Sequence, residues 1–216
     1  MAVMNVNPTR MELTNLKRKL VTARRGHKLL KDKRDELMRQ FLELVKENKV
    51  LRERVEKGIN EANRHFALSN AAMSDENMSV ALMMPLQKLS IDVRSKNVMS
   101  VIVPEFVADF KITKKNDIFS YGYAFTSGDL DTAVSSLNEI LPDMLRLAEI
   151  EKSCQLLSAE IEKTRRRVNA LEHVMIPDYT DTIKYITMKL DENDRSTTTR
   201  LMKVKDMMLQ NTHNYV

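Results

Sequence analysis

From Leu13 onward an apolar side chain recurs at alternating steps of three and four: Leu13, Leu16, Leu20, Ala23, Leu30, Leu37, Phe41, Leu44, Leu51, Val55 and Ala62. His27, Arg34, Asn48 and Gly58 are the only exceptions in that run. A 3.5-residue repeat sustained this far predicts a helix with one apolar stripe, which a second helix must cover in a coiled coil. A second seam runs through Leu147, Ile150, Cys154, Leu157, Ile161, Thr164, Val168, Leu171 and Met175. It then steps by four through Tyr179 to Ile183 and resumes with Ile186, Leu190, Asn193, Thr197, Leu201, Val204 and Met208. The added spacing falls beside Pro177, where an unwound supercoil and a kink are expected.

Composition agrees with long helices. The 216 residues include 4 Gly, 5 Pro, no Trp and 15 Met, with 30% charged side chains, so turn-formers are scarce. One cysteine, Cys154, excludes an internal disulfide and suits a reducing compartment. No apolar run approaches the roughly 20 residues that span a bilayer, and the N-terminus lacks a signal pattern.

The fold class that follows is mainly α: a long antiparallel two-helix coiled coil with a short β-hairpin region inserted between the helices. The segments are 1–75 for the N-terminal helix, 76–127 for the hairpin and its connections, and 128–216 for the C-terminal helix. Pro8 and Thr9 read as a helix start. In "KLSIDVRSKNVMSVIVP", Leu89, Ile91 and Val93 alternate with polar residues, "RSKN" reads as the turn, and Pro104 closes the second strand. "FKITKKNDIFSYGYAF" is an irregular connection rich in aromatics. Thr126 and Asp129 are spaced like a capping box, and Pro142 suggests a kink or a restart. With both termini at one end, facing positions would sum to about 217. Asn48 would then face 164–169 and Phe41 would lie near 175–179.

Charge is concentrated. Between Lys17 and Arg39 there are ten Lys or Arg and three acidic residues, against a net charge of +5 for the whole chain. Such a patch fits an acidic partner, whether nucleic acid, anionic lipid or a protein wall. The seam stays apolar through it, so the basic side chains lie outside an already paired helix. That disfavours a basic-region zipper, whose DNA-reading segment lies outside its dimer seam. Gly26 reads as a close approach of two backbones, or alternatively as a groove for a neighbouring subunit. Gly26, Gly58, Gly122 and Gly128 form no phosphate loop, and His27, His65, His173 and His213 lack metal-ligand spacing. No catalytic, cofactor-binding or metal-binding residues are expected.

Two stretches are more specific: "PTRMELTNLKRKLVTARRGHKLLKDKRDEL" and "LAEIEKSCQLLSAEIEKTRRRVNALEHVMIPDYTDTIKYITMKLDENDR". With "YGYAFTSGDLDTA" between them, the chain resembles, over nearly its whole length, the D subunits of the vacuolar/archaeal-type (V-type/A-type) rotary ATPases and ATP synthases, including their bacterial V-type members. The resemblance implies a non-catalytic central-stalk rotor shaft. It would couple ATP synthesis or hydrolysis in a ring of A and B subunits to proton or sodium translocation by a membrane rotor. The implied partners are the A and B subunits, the F subunit of the stalk and an adaptor subunit on the membrane rotor ring. Nucleic acid is not among them, and the chain itself has no transmembrane segment. The implied location is the cytoplasmic face of the cell membrane, as a peripheral part of the complex.

By position, Arg10, Lys17, Arg18, Arg24, Arg25, Arg195, Arg200, Lys203 and Lys205 would contact the catalytic ring. Ile91, Val93, Val101 and Val103 would contribute to end-cap contacts. The sequence departs from the family at "ENDRSTTTRLMKVK", where three consecutive threonines should weaken the helix. A generic structural coiled-coil scaffold, or a basic nucleic-acid-binding coiled coil, remains the alternative reading of the heptads alone.

Overall fold

The computed structural model describes residues 4, 6–84, 88–111, 119–122, 124 and 126–213. The greater part of the irregular connection expected after the hairpin, 112–118 with Tyr123 and Phe125, lies outside them. In chain order the elements are α1 (Arg10–Ala72), α2 (Asp75–Ala81), β1 (Lys88–Val98), β2 (Val101–Lys111), α3 (Gly128–Ala170), a π-helical turn (Leu171–Met175) and α4 (Ile176–His213). The protein is therefore mainly α, with long N- and C-terminal helices and one antiparallel hairpin between them.

Local chemistry explains the boundaries. Thr9 caps α1, its Oγ1 accepting from the Glu12 N–H at 3.2 Å. At α3 the cap is Ser127 rather than the expected Thr126: the Asp129 N–H donates to Ser127 Oγ, while the Thr126 hydroxyl donates back to the Gly122 carbonyl. Pro142 does not restart a separate element, since α3 runs through it. The Thr197–Thr199 run does not end α4 either. Each hydroxyl donates to the carbonyl four residues earlier, on Asn193, Asp194 and Arg195, so the polar atoms are satisfied within the helix.

The chain divides into two compact units, Met1–Asp35 with Glu162–Val216, and Glu36–Ile161. In the second unit, α1 and α3 run antiparallel, linked by Arg146 to Glu47 at 3.2 Å, Arg52 to Glu151 at 3.8 Å and Arg54 to Asp143 at 3.3 Å. Its main core comprises Leu37, Val101, Val103, Leu157 and Ile161, with Phe41, Leu44, Val98, Met99 and Leu156 packed around them. A second cluster of Met78, Ala81 and Leu130, flanked by Met73, Tyr121 and Val134, ties α2 to the start of α3.

The hairpin turn lies at Met99 and Ser100, not at "RSKN", which belongs to β1. Both residues have positive φ, 50° and 73°, as a two-residue turn matching the strand twist requires. Neither is glycine, so the geometry costs conformational energy. The docking of Val98 and Met99 on the core offsets it. Pro104, opposite Ser95, interrupts nothing, and β2 continues to Lys111. In a two-stranded sheet each strand is an edge, where a missing N–H is tolerated.

In the first unit, Leu16, Thr164, Val168, Thr182 and Ile186 are buried. Arg10 meets Asp194 at 2.9 Å and His27 meets Glu172 at 3.3 Å. The segment before α1 turns back, and the Met4 N–H donates to Thr182 Oγ1 at 3.2 Å.

The register differs from the chain-symmetric expectation by roughly four to seven helical turns. Asn48 lies at the level of Arg146 and Glu151, not of 164–169, and Phe41 packs with Leu157 and Ile161, not near 175–179. The reversal is set by where α1 stops, at Ala72, and where α3 starts, at Gly128. In the first unit the Arg10–Asp194 contact sets the level of the first turn of α1, and α4 continues beyond it to His213.

Candidate partner-binding surfaces

The seam residues are the scaffold on which any surface is mounted. Leu16, Leu37, Leu51, Val55, Leu157, Ile161, Val168 and Ile186 are buried, and Leu13, Leu20, Leu30, Phe41, Leu44, Leu171, Ile183 and Leu190 are half-buried. Beyond Leu190 the pattern fails. Leu201, Val204 and Met208, which continue the heptads, are exposed, and they lie past the level at which Arg10 in the first turn of α1 meets Asp194. Met175 is exposed too. The extra residue near Pro177 is absorbed by the π turn, where the Ile176 N–H donates to the Leu171 carbonyl five residues earlier, instead of by a seam step of four.

One surface is the overhanging end of α4. Arg195, Arg200, Lys203 and Lys205 are exposed there beside exposed Leu201, Met202, Val204 and Met207. Lys17, Arg18, Arg24 and Arg25 are exposed on α1 of the same unit. Among the described residues none of these eight cations pairs with a carboxylate, whereas Arg10 is engaged with Asp194. The result is a basic, partly apolar surface whose charges remain available to an acidic wall.

A second surface is the hairpin. Directly opposed residues share a face, so Leu89, Ile91 and Val93 lie on one side with Phe106, Ala108 and Ile102. Ile91, Val93 and Ile102 are 44%, 61% and 67% exposed. The opposite face carries Val98, Val101 and Val103 near the turn and docks on the core. Val101 and Val103 are therefore not available for an end-cap contact. They hold the hairpin on the helices, and only Ile91 and Val93 of the four expected residues are presented outward. Ile102 lies within the expected strand but was not among the expected contacts, and Phe106 falls beyond Pro104, where the sequence expectation closes the strand; the alternation continuing through Phe106 and Ala108 is the signal that marks it.

A third apolar surface lies at the α2 end, where Val80, Leu82, Met83 and Met84 are exposed. Nearby, the buried Tyr121 hydroxyl has no well-formed hydrogen bond, and burial, then Asp131, push its pKa up. Cys154 is half-buried, and its thiol pKa is raised by burial, then by Glu151 and Glu47. Among the described residues no cluster of three His, Cys, Asp or Glu is placed to hold a metal ion, and no helix is long and apolar enough to cross a membrane.

Proteins of known family match along nearly the whole chain. The family of ATP synthase D subunits matches residues 12–206. The V-type ATP synthase D subunit of Acetivibrio thermocellus is 60% identical over 215 residues, covering 100% of this chain and 97% of that protein. That of Clostridioides difficile is 61% identical over 211 residues, covering 97% and 94%. That of a Thermoanaerobacter species is 53% identical over 210 residues, covering 97% and 100%. With a family match along most of the chain and full-length relatives above half identity, this chain belongs to the family of V-type ATP synthase D subunits.

Proposed function

We propose that this chain is the central-stalk shaft of a V-type rotary ATP synthase or ATPase, with no catalytic residue of its own. The observation that carries the reading is the end of α4. A paired helix continues past its partner as a largely exposed helix, carrying cations that meet no carboxylate among the described residues beside exposed apolar side chains. An unaccompanied helix is marginal in water, so this one suits insertion into a surrounding protein wall, the ring of A and B subunits. Arg10, Lys17, Arg18, Arg24, Arg25, Arg195, Arg200, Lys203 and Lys205 are the proposed contacts.

The mechanism is mechanical. An asymmetric shaft favours a different nucleotide state at each of the otherwise equivalent A/B interfaces, so rotation exchanges those states. Linkage makes the coupling reciprocal, and nucleotide-driven closure of the ring drives the shaft. Ile91 and Val93 on the hairpin are the proposed contacts for the F subunit. The exposed α2 end suits the adaptor on the membrane rotor ring, at the cytoplasmic face of the membrane. The ion moved, proton or sodium, is the concern of that rotor.

Affinity purification of the tagged full-length chain from its own cells tests this. Recovery of A, B and F subunits is expected. Their absence defeats the shaft reading, and steep salt-dependent binding to duplex DNA in their place would support a nucleic-acid role.

A further inference from the structure

In the first unit both helices carry a weakness at one level. His27 Nε2 lies 3.3 Å from Glu172 Oε2, which puts Gly26 on α1 beside the start of the π turn. At Gly26 an added Cβ would meet nothing within 4 Å, and no glycine in the chain has positive φ. Neither close approach nor special backbone geometry requires this glycine, contrary to the expectation from sequence. What it does supply is a helix position of low propensity.

On the other helix, no residue of the Leu171–Met175 turn is buried. Pro177 follows within two residues and has no N–H to give to the carbonyl one turn earlier. The cross-link between the helices at this level, His27 to Glu172, has a carboxylate that is half exposed, where such contacts hold weakly. The flanks are gripped again. Leu16, Thr182 and Ile186 are buried on one side and Thr164 and Val168 on the other, and the Met4 N–H anchors Thr182.

We propose that the level of Gly26, the Leu171–Met175 turn and Pro177 is a flexible joint in this helix pair, at which the overhanging end bends or twists relative to the pair below. Its use under torque rests on the shaft reading; its existence does not. With no residue of the turn buried and nothing within 4 Å of an added Cβ at Gly26, a change of hydrogen-bond register between i+4 and i+5 is absorbed there as a small rotation.

The test uses the full-length chain carrying Cys154→Ser, with spin labels at Arg165→Cys and Lys189→Cys across the turn. A control pair of equal separation, Lys46→Cys and Asn70→Cys, lies on α1 where Gly58 is filled by Ile140. A wider distance distribution is expected across the joint, narrowing when Gly26→Ala and Pro177→Ala are added. Equal widths, or no narrowing, overturn the proposal. Hydrogen exchange on the unsubstituted chain gives a second readout, free of any folding defect. Amides of residues 172–180 should exchange about tenfold faster than those of 183–190, and uniform protection would also overturn it. Both measurements concern the isolated chain, so loss of the A, B and F partners in the purification would leave them standing.

Discussion

At Gly58 an added Cβ would lie 2.3 Å from Ile140 Cδ1 and 2.7 Å from Cγ1, so α1 and α3 touch there through the missing side chain. Gly58→Ala should cost about 1–3 kcal/mol in urea unfolding, the usual range for overpacking. Adding Ile140→Val or Ile140→Ala should recover part of it, a coupling that a double-mutant cycle reads directly. Gly26→Ala should instead stabilise by up to about 1 kcal/mol, since only propensity changes. From sequence Gly58 falls on the seam and Gly26 beside it, but only the neighbour across the interface, Ile140, shows what a methyl group at Gly58 would meet.

Titration sorts the charged residues in a similar way. Glu36 is held below the usual carboxylate range, first by the hydrogen bond from Arg39 and then by that from Gln40. A depressed carboxyl contributes stability above its unfolded pKa and loses it as pH falls through the folded one. The Cys154 thiol is shifted the other way, upward, by burial first. Its contribution is complete below the unfolded thiol pKa and lost as pH rises through the folded value. Alkylation of Cys154 at pH 8 should therefore be slower in the native chain than in urea, and Glu151→Gln should speed it. Equal rates in the two states would refute the assignment.

Among the elements, the hairpin shows how context decides what a strand is for. Two strands alone are marginal, and this pair is held by Val98, Val101 and Val103 packing on Leu37, Leu157 and Ile161. Val103→Asp would bury a charge against that cluster and should cost several kcal/mol. Val93→Asp, on the exposed face, should stay within about 0.5 kcal/mol in the free chain and show its effect in recovery of the F subunit during purification. The presence of a hairpin was legible in the alternation of Leu89, Ile91 and Val93. The turn was not, because "RSKN" has turn-like composition while Met99 and Ser100 accept left-handed geometry through the docking of their neighbours. The threonine run makes a related point: propensity argues for a weak point at Thr197–Thr199, but the hydroxyls bond within the helix and α4 continues.

For the molecule as a whole, the heptads determined that two long helices would pair, and most of the residues that form the stripe as far as Leu190, Met175 at the π turn being an exception. They could not determine where the pairing ends. A heptad seam slipped by seven residues looks the same to itself, so facing positions are specified only by where α1 stops and α3 starts, and by the ion pairs that follow. That tertiary register leaves Leu201, Val204 and Met208 outside any seam and turns the end of α4 into a surface. Removing residues 195–216 should accordingly leave the urea midpoint nearly unchanged, while A and B subunits are no longer recovered with the chain. A large loss of stability would mean that the end packs on the chain itself. Periodicity is a local property, readable residue by residue, and it identified the stripe and the helices, as the local motifs did the family. Register, turn position and the exposure of the last helix depend on contacts between distant segments, and only the folded chain decides those.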